Sequence, residues 1–417
     1  MKKKKDVLFL CQYFYPEFIS SATLPLDVAL ALANHNFKVA TICGYPKEYN
    51  MKRKVPLKEK YKSIEIKRLR YLQLKRTRHL GRIINYFSFT IAVLLRLLEL
   101  RKYKSIIVYS NPPVLPLIAV LANKLFKTKV IFVCFDVYPE IAHVTNSIKK
   151  NSFISRLMGS INKITYKDFS KVVALSNEMK DYLLTKRRGL SEKQMEVIPN
   201  WYEDKGKSEI IDSSKNKLFR AIKKKGVIVI SYFGNMGTCQ DLDTIVDAIR
   251  SLKDDHTIQF IFAGHGTKFE NLKMLKQIEE LENLHIFEFL HGNEFQEVLN
   301  LSDCFLVSLV EGVTGLAVPS KTYSYMMIGR PIIAIMEENA DIVKDLTKNN
   351  AGYSLKVGES YKLVNAIYDL KNNKHKRELM GENCRNIFLE KYTREKCTQQ
   401  YVKMIQEVLE GNYNVQG

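Results

Sequence analysis

The chain has 417 residues, 46% of them hydrophobic and 26% charged, with a formal net charge of +21. That length can bury two or three cores, and without enrichment in Gly or Pro it excludes a disordered or fibrous protein. The charge fits an anionic partner, either a membrane surface or a nucleic acid, or else a solvated basic face. The seven cysteines form no CxxC pair and mostly sit in apolar runs, so a reducing cytoplasm is expected and a disulfide framework or zinc site is not.

Met1 is followed by four lysines, but the apolar run at 7–10 is too short for the core of a secretory signal. It reads as a buried strand, VLFLC (7–11), followed by a helix at about 24–34 and a second strand, VATIC (39–43). SIIVYS (105–110), VIFVCF (130–135) and VVALS (172–176) continue the series, with helical patterns between them. Short apolar runs buried on both faces and alternating with helices predict a doubly wound, parallel α/β sheet.

The stretch from Lys52 to Lys104 interrupts that rhythm with 17 Lys or Arg against three acids, Glu59, Glu65 and Glu99. Inside it Ile84, Phe87, Ile91, Leu94, Leu95 and Leu98 recur at helical spacing, flanked by Arg82, Arg96 and Arg101. A basic amphipathic helix of this kind either lies in a membrane interface or packs against the sheet. The longest apolar run, 83–95, has 13 residues, short of the ~20 that a bilayer span needs.

Residues 200–225 are polar and charged, a predicted interdomain linker. Strand signals resume at VIVISYFG (227–234), FIFAG (260–264), HIFEFL (285–290), CFLVSL (304–309) and PIIAI (331–335), a second α/β domain over 226–386. The tail, 387–417, is helical by pattern over 387–409 and is expected to return to the first domain, 1–199.

Ligands of such sheets bind beyond the carboxyl ends of the strands. After the first strand, Ser20, Ser21, Ala22 and Thr23 lead into a helix. After the strand at 227–233, Gly234-Asn235-Met236-Gly237-Thr238 permits close backbone approach to a ligand. It fits neither a P-loop nor a GxGxxG turn, which disfavours an ATPase or a nicotinamide enzyme. Gly264-His265-Gly266 ends the next strand. Further on, Glu311-Gly312-Val313-Thr314-Gly315 precedes Pro319-Ser320-Lys321, where Ser320 reads as a helix cap. A first-turn lysine opposes the helix macrodipole. It makes sense if it and the helix N-terminus share an anion such as a diphosphate; otherwise it is a solvent-exposed lysine. No nucleophile elbow, HExxH motif or carboxylate pair assignable to hydrolysis occurs.

Six stretches in chain order resemble glycosyltransferase family 4, of GT-B fold, and especially its bacterial capsule and O-antigen branch. They are Gln12-Tyr13-Phe14-Tyr15-Pro16-Glu17; Asn111-Pro112-Pro113; Asp136-Val137-Tyr138-Pro139-Glu140; Val197-Ile198-Pro199-Asn200-Trp201; Gly234-Asn235-Met236-Gly237; and Pro319-Ser320-Lys321 running to Gly329-Arg330-Pro331. The resemblance covers nearly the whole chain. It implies two Rossmann-like, doubly wound parallel-sheet domains facing a cleft, with a nucleotide-sugar, usually a UDP-sugar, on the second and the acceptor on the first. The implied reaction retains anomeric configuration and needs no cofactor or metal. The implied acceptor, a saccharide on undecaprenyl diphosphate (a polyprenyl diphosphate), would account for the basic segment 52–104 as a contact with an anionic membrane surface. The protein would then lie peripherally on the cytoplasmic face of the cell membrane, with no nucleic acid partner.

On that resemblance the expected catalytic residues are Lys321, Glu311 and Asp136. Donor contacts would be Gly234, Asn235, Gly237, Gly266, Leu290, Thr314, Gly315, Ser320 and Ser324, and Ser20, Ser21 and Glu140 would line the acceptor side. The chain departs from the family pattern in three places. The second of two glutamates eight positions apart falls on Pro319 when counted from Glu311, or on Ser324 when aligned from Gly329-Arg330-Pro331. An Arg and a Lys expected in the loop GNMGTCQ are Asn235 and Gln240, which leaves Lys321 as the best-placed cation for a diphosphate. Phe135 stands where some members have a His. Two alternatives remain open at this point: a UDP-sugar epimerase of the same architecture, and a basic nucleic-acid-binding protein, for which no helix-turn-helix or RNA-recognition signature is found.

Overall fold

The computed structural model describes residues 4–46, 54–74, 79–205, 221–288, 290 and 292–411. Positions 52–53 and 75–78 of the basic segment, 206–220 of the predicted linker and 412–417 of the tail lie outside the described residues, as does the side chain of Arg82. The chain divides into two units: Met1–Asn200 with Gly315–Val318 and Arg394–Gly417, and Trp201–Thr314 with Pro319–Thr393.

The first unit is built on an eight-stranded sheet. Its strands are β1 (Lys5–Leu10), β2 (Val39–Gly44), β3 (Lys58–Tyr61), β4 (Ile64–Leu69), β5 (Tyr103–Tyr109), β6 (Lys129–Cys134), β7 (Lys171–Ala174) and β8 (Met195–Val197). Their order is β3-β4-β2-β1-β5-β6-β7-β8, and only the β3–β4 pair is antiparallel. The helices are α1 (Ser20–Asn34), α2 (His79–Leu94), α3 (Leu97–Leu100), α4 (Pro116–Phe126), α5 (Glu140–Val144), α6 (Phe153–Thr165) and α7 (Asn177–Lys186). Val7 to Leu10, Ile106 to Val108 and Val130 to Ile131 are fully buried, as continuous apolar runs in a sheet covered on both faces require.

No strand is predicted at β3 and β4, which lie in the basic segment. Their signal is the alternation IEIKRL, in which Ile64 and Ile66 point inward while Glu65 is exposed. One of the segment's cations is structural. The Arg68 side chain is buried, paired with Glu59 and donating to the carbonyls of Pro56 and Tyr15 at 2.8 Å.

On α2 Phe89 and Val93 are buried, as is Asn85, whose amide is bonded to the backbone of Leu74. The predicted apolar stripe is on the other side: Ile91 and Leu94 are exposed, as are Leu95 and Leu98 beyond the helix end. One helix thus carries two apolar faces, and the sheet uses only one.

The second unit has six parallel strands: β9 (Ile228–Asn235), β10 (Ile258–His265), β11 (Leu284–Phe287), β12 (Cys304–Ser308), β13 (Ile332–Ile335) and β14 (Gly352–Leu355). Numbered within the unit their order is 3-2-1-4-5-6, the order of the dinucleotide-binding folds, which reverses between β9 and β12. Its helices are α8 (Asp243–Ser251), α9 (Phe269–Ile278), α10 (Gly292–Leu301), α11 (Thr322–Ile328), α12 (Asp341–Lys348), α13 (Ser360–Asn372) and α14 (Lys374–Ile387). The final helix, α15 (Arg394–Glu410), belongs to the first unit and packs on α1.

Candidate active site

The crevice where the strand order reverses is the natural ligand position of the second unit. β12 pairs with β9 only at Cys304–Ile230 and Phe305–Ser231 and then turns away. The Leu309 N–H donates to Ile335 O, and the Val310 N–H to Cys239 O. The β9 edge beyond Ser231 is therefore left without a strand partner on this side. Tyr325 of α11 fills the gap. Its hydroxyl accepts from the Phe233 N–H at 2.9 Å and donates to Phe233 O at 3.0 Å, and its ring stacks on Phe305 with centroids 4.2 Å apart.

One turn before Tyr325, on the same face of the chain, stands Lys321. It is the N-cap residue of α11, with φ −72° and ψ −20°, and no side chain caps the helix. Ser320 is thus not the cap that the sequence predicts. The helix opens through a tight turn, in which Thr322 N–H and hydroxyl both go to Pro319 O. Lys321 does not project into solvent. It is partly buried and runs along Gly234, where a Cβ would lie 3.3 Å from its Cγ. Its ammonium is 4.9 Å from the Phe295 ring centroid. Burial lowers the Lys321 pKa, and burial together with the Lys321 charge lowers that of His265.

The glycines serve chain-to-chain approach as well as any ligand. A Cβ on Gly264 would lie 1.8 Å from Gly234 O, and one on Gly266 would lie 2.4 Å from Met236 O. Nor do the loop's amides all face outward. The Met236 N–H donates to His265 O at 2.6 Å, and the Gly237 N–H to Gln240 Oε1 at 3.0 Å. Asn235 and Gln240, uncharged where an Arg and a Lys are expected, are 3.5 Å apart and close the loop on itself.

One expected donor contact is corrected. Ser324 is 1% exposed and its hydroxyl donates to Lys321 O at 2.7 Å, so the short helix has used the group expected to reach a ribose. Gly315 groups with the first unit, apart from Thr314. Glu311 is exposed on a turn, and the Thr314 hydroxyl is buried without a partner. Leu290 is partly buried after β11.

In the first unit, Asp136 follows β6 in a pocket lined by Pro113, Phe132, Tyr138, Ile161, Tyr166 and Phe169. Ser110 fixes the approach, its hydroxyl accepting from the N–H groups of Phe135 and Asp136 at 3.0 and 3.1 Å. Burial raises the Asp136 pKa to about 6. Glu140 is not a free acceptor contact: Arg187 holds both its oxygens, at 2.6 and 2.7 Å. Ser20 and Ser21 lie inside the first turn of α1, with Ile19 at the N-cap. Among the described residues no group of three or more His, Cys, Asp or Glu is placed to hold a metal ion.

Two predictions follow from these contacts. Tyr325→Phe strands a buried N–H and a buried carbonyl, and is expected to cost the second unit about 2 kcal/mol. Trp201, the chain's one tryptophan and buried in that unit, reports the change in urea unfolding by its fluorescence. For Asp136 the folded pKa is raised, so the folded state binds the proton more tightly. Stability is full below pH 3.8 and falls as pH rises toward 6. Asp136→Asn should therefore match wild type in acid and exceed it by about 2–3 kcal/mol at neutral pH, in denaturation followed by circular dichroism.

Comparison with known proteins fits this geometry. Residues 22–201 match the family described as glycosyl transferase 4-like domain, and residues 214–387 match glycosyl transferases group 1. The probable glycosyltransferase WbjE of Pseudomonas aeruginosa is 27% identical over 225 residues, 54% of this chain and 55% of that one. The putative colanic acid biosynthesis glycosyl transferase WcaI of Escherichia coli is 23% identical over 197 residues, 46% of this chain and 47% of that one. The chain thus spans about half the length of these curated relatives. Anabaena Alr3699/HepE, solved with UDP-glucose, superposes with a TM-score of 0.70 at 14% identity, covering 97% of this chain and 100% of that one, a likeness of fold.

Proposed function

The chain belongs to glycosyltransferase family 4, whose GT-B fold it shares, and from that premise we propose that it is a retaining glycosyltransferase of cell-surface polysaccharide synthesis. The donor is a UDP-sugar and the acceptor a saccharide carried on a polyprenyl diphosphate. The observation that carries this reading is Lys321 laid over Gly234 in the crevice between β9 and β12. A cation held there by the protein, before any ligand arrives, is preorganised for a diphosphate. The loop amides are largely engaged, so the ammonium carries most of the charge stabilisation as UDP departs. Glu311 and the unpartnered Thr314 hydroxyl hold hydroxyls of the transferred sugar. The leaving phosphate takes the acceptor's proton on the front face, while Asp136 orients the acceptor hydroxyl.

The outward apolar face of α2, in a basic segment, supports a peripheral position on an anionic membrane, which we assign to the cytoplasmic face. Among the described residues no helix is long and apolar enough to cross a bilayer. The test is calorimetric titration with a panel of UDP-sugars, then incubation of the best binder with membrane lipid extract. A sugar-bearing lipid product supports the reading. UDP-sugar rearranged without a lipid product, or no binding of any UDP-sugar, overturns it.

A further inference from the structure

We infer that the edge of the first unit's sheet where the strands begin, opposite the edge that carries the site residues, is a docking rim for an anionic lipid bilayer. The inference rests on the membrane reading above and extends it to residues outside the segment 52–104. The connections through α2–α3, α4 and α6 all carry the chain the same way across the sheet, so right-handed crossovers put these helices on one face. Accordingly α4 packs against α2, α3 and α6. Their C-terminal ends come together where β5, β6 and β7 start. Lys124 near the end of α4 pairs with Asp168 just past α6 at 3.1 Å, and Lys4 donates to Phe126 O at 3.4 Å.

Along that rim the large apolar side chains are outside. Leu95 is 79% exposed, Leu98 68%, Leu125 59% and Ile164 47%. Leu98, Leu125 and Ile164 come from three helices and Leu95 from the turn before α3, so the row is made by the fold and no single amphipathic pattern encodes it. The stretches 94–104, 124–129 and 163–168 carry nine Lys or Arg against two acids, Glu99 and Asp168. Both acids are already paired, with Lys67 and Lys124. Arg96, Lys104 and Lys124 are themselves in ion pairs, with Glu99, Asp6 and Asp168, which leaves the rim a clear excess of cations. Aliphatic side chains ringed by that excess match an acidic lipid interface, with chains entering the headgroup boundary and ammonium groups at the phosphates. A second copy of this chain would set like charges against each other. A nucleic acid surface would call for exposed aromatics in place of Leu and Ile.

The test is flotation of the full-length protein with vesicles of phosphatidylglycerol and phosphatidylcholine in equal parts, and with phosphatidylcholine alone. Wild type should float with the anionic vesicles. The double variant Leu125→Ser/Ile164→Ser should lower the partition coefficient by a factor of about ten, with an unchanged thermal melt. Lys127→Glu/Lys163→Glu, which alters charge alone, should do the same at low salt and converge on wild type at high salt. If both variants float as wild type does while Ile84→Ser/Phe87→Ser does not, the rim is overturned and the membrane reading stands. If wild type ignores anionic vesicles, both fall. A dimer in sedimentation that Leu125→Ser/Ile164→Ser dissolves would give the rim to self-association instead.

Discussion

Lys321→Ala is expected to lower sugar transfer by a factor of about 100 or more, with the fold intact. Loss of one preorganised charge donor at a departing anion costs on the order of 3 kcal/mol. The side chain crosses Gly234 and meets Phe295, so truncation leaves a small gap on the crevice wall and opens no deep cavity. Lys321→Arg is a sharper probe. A guanidinium keeps the charge but is wider and planar, and Gly234 leaves little room above it. It should recover less than a tenth of the lost rate. Initial rates at saturating UDP-sugar, with UDP affinity measured separately, distinguish a role in departure from one in binding: the first lowers kcat, the second raises KM. Activity of Lys321→Ala within about threefold of wild type would remove the lysine from the mechanism.

Gly264→Ala should cost the second unit about 3 kcal/mol or more, and the variant should accumulate poorly. The added methyl would lie 1.8 Å from Gly234 O, and a backbone oxygen within a ladder cannot step aside as a flexible side chain can. β9 and β10 are in register to their last residues, Gly264 beside Gly234 and His265 beside Asn235, so relief means parting the two strands that end at the site. Gly159→Ala is the matched control. Gly159 lies within α6 with nothing within 4 Å of a new Cβ, and alanine there should add about 0.5–1 kcal/mol to the first unit. Trp201 fluorescence follows the first variant and circular dichroism the second.

Much of this architecture is legible in the sequence because both sheets are buried on two faces. A strand such as VLFL or FIFA then has no polar side to confuse the pattern, and the ten predicted strands all appear within a few residues of their observed bounds. What is missed is what is half-solvated. In β3 and β4 two isoleucines carry the signal among Lys and Glu, and β14 is a four-residue strand, GYSL, with one buried side chain. The site is legible as positions and less so as roles. Lys321 stands out in the sequence because a cation at a helix start contradicts the dipole. That Ser324 turns inward and that Arg187 claims Glu140 are facts of tertiary packing, 47 residues apart in the second case, and no local pattern encodes them. Tyr325 illustrates the same limit. Its hydroxyl replaces a neighbouring strand's backbone, a role set by where β12 leaves β9.

The last helix of the chain completes its first unit. On the ribosome, the sheet that begins at Lys5 can form once Asn200 has emerged, but the groove over α1 waits for 201–393 to be made. At an elongation rate of about 5–20 residues per second that interval is about 10–40 s. Throughout it α15 is not yet there to cover α1, and a nascent chain holding a finished sheet with one bare flank is a client for chaperones. A message truncated just before Arg394 would release a protein whose second unit is whole but whose first lacks its closing helix, even though every residue proposed for the chemistry had been translated.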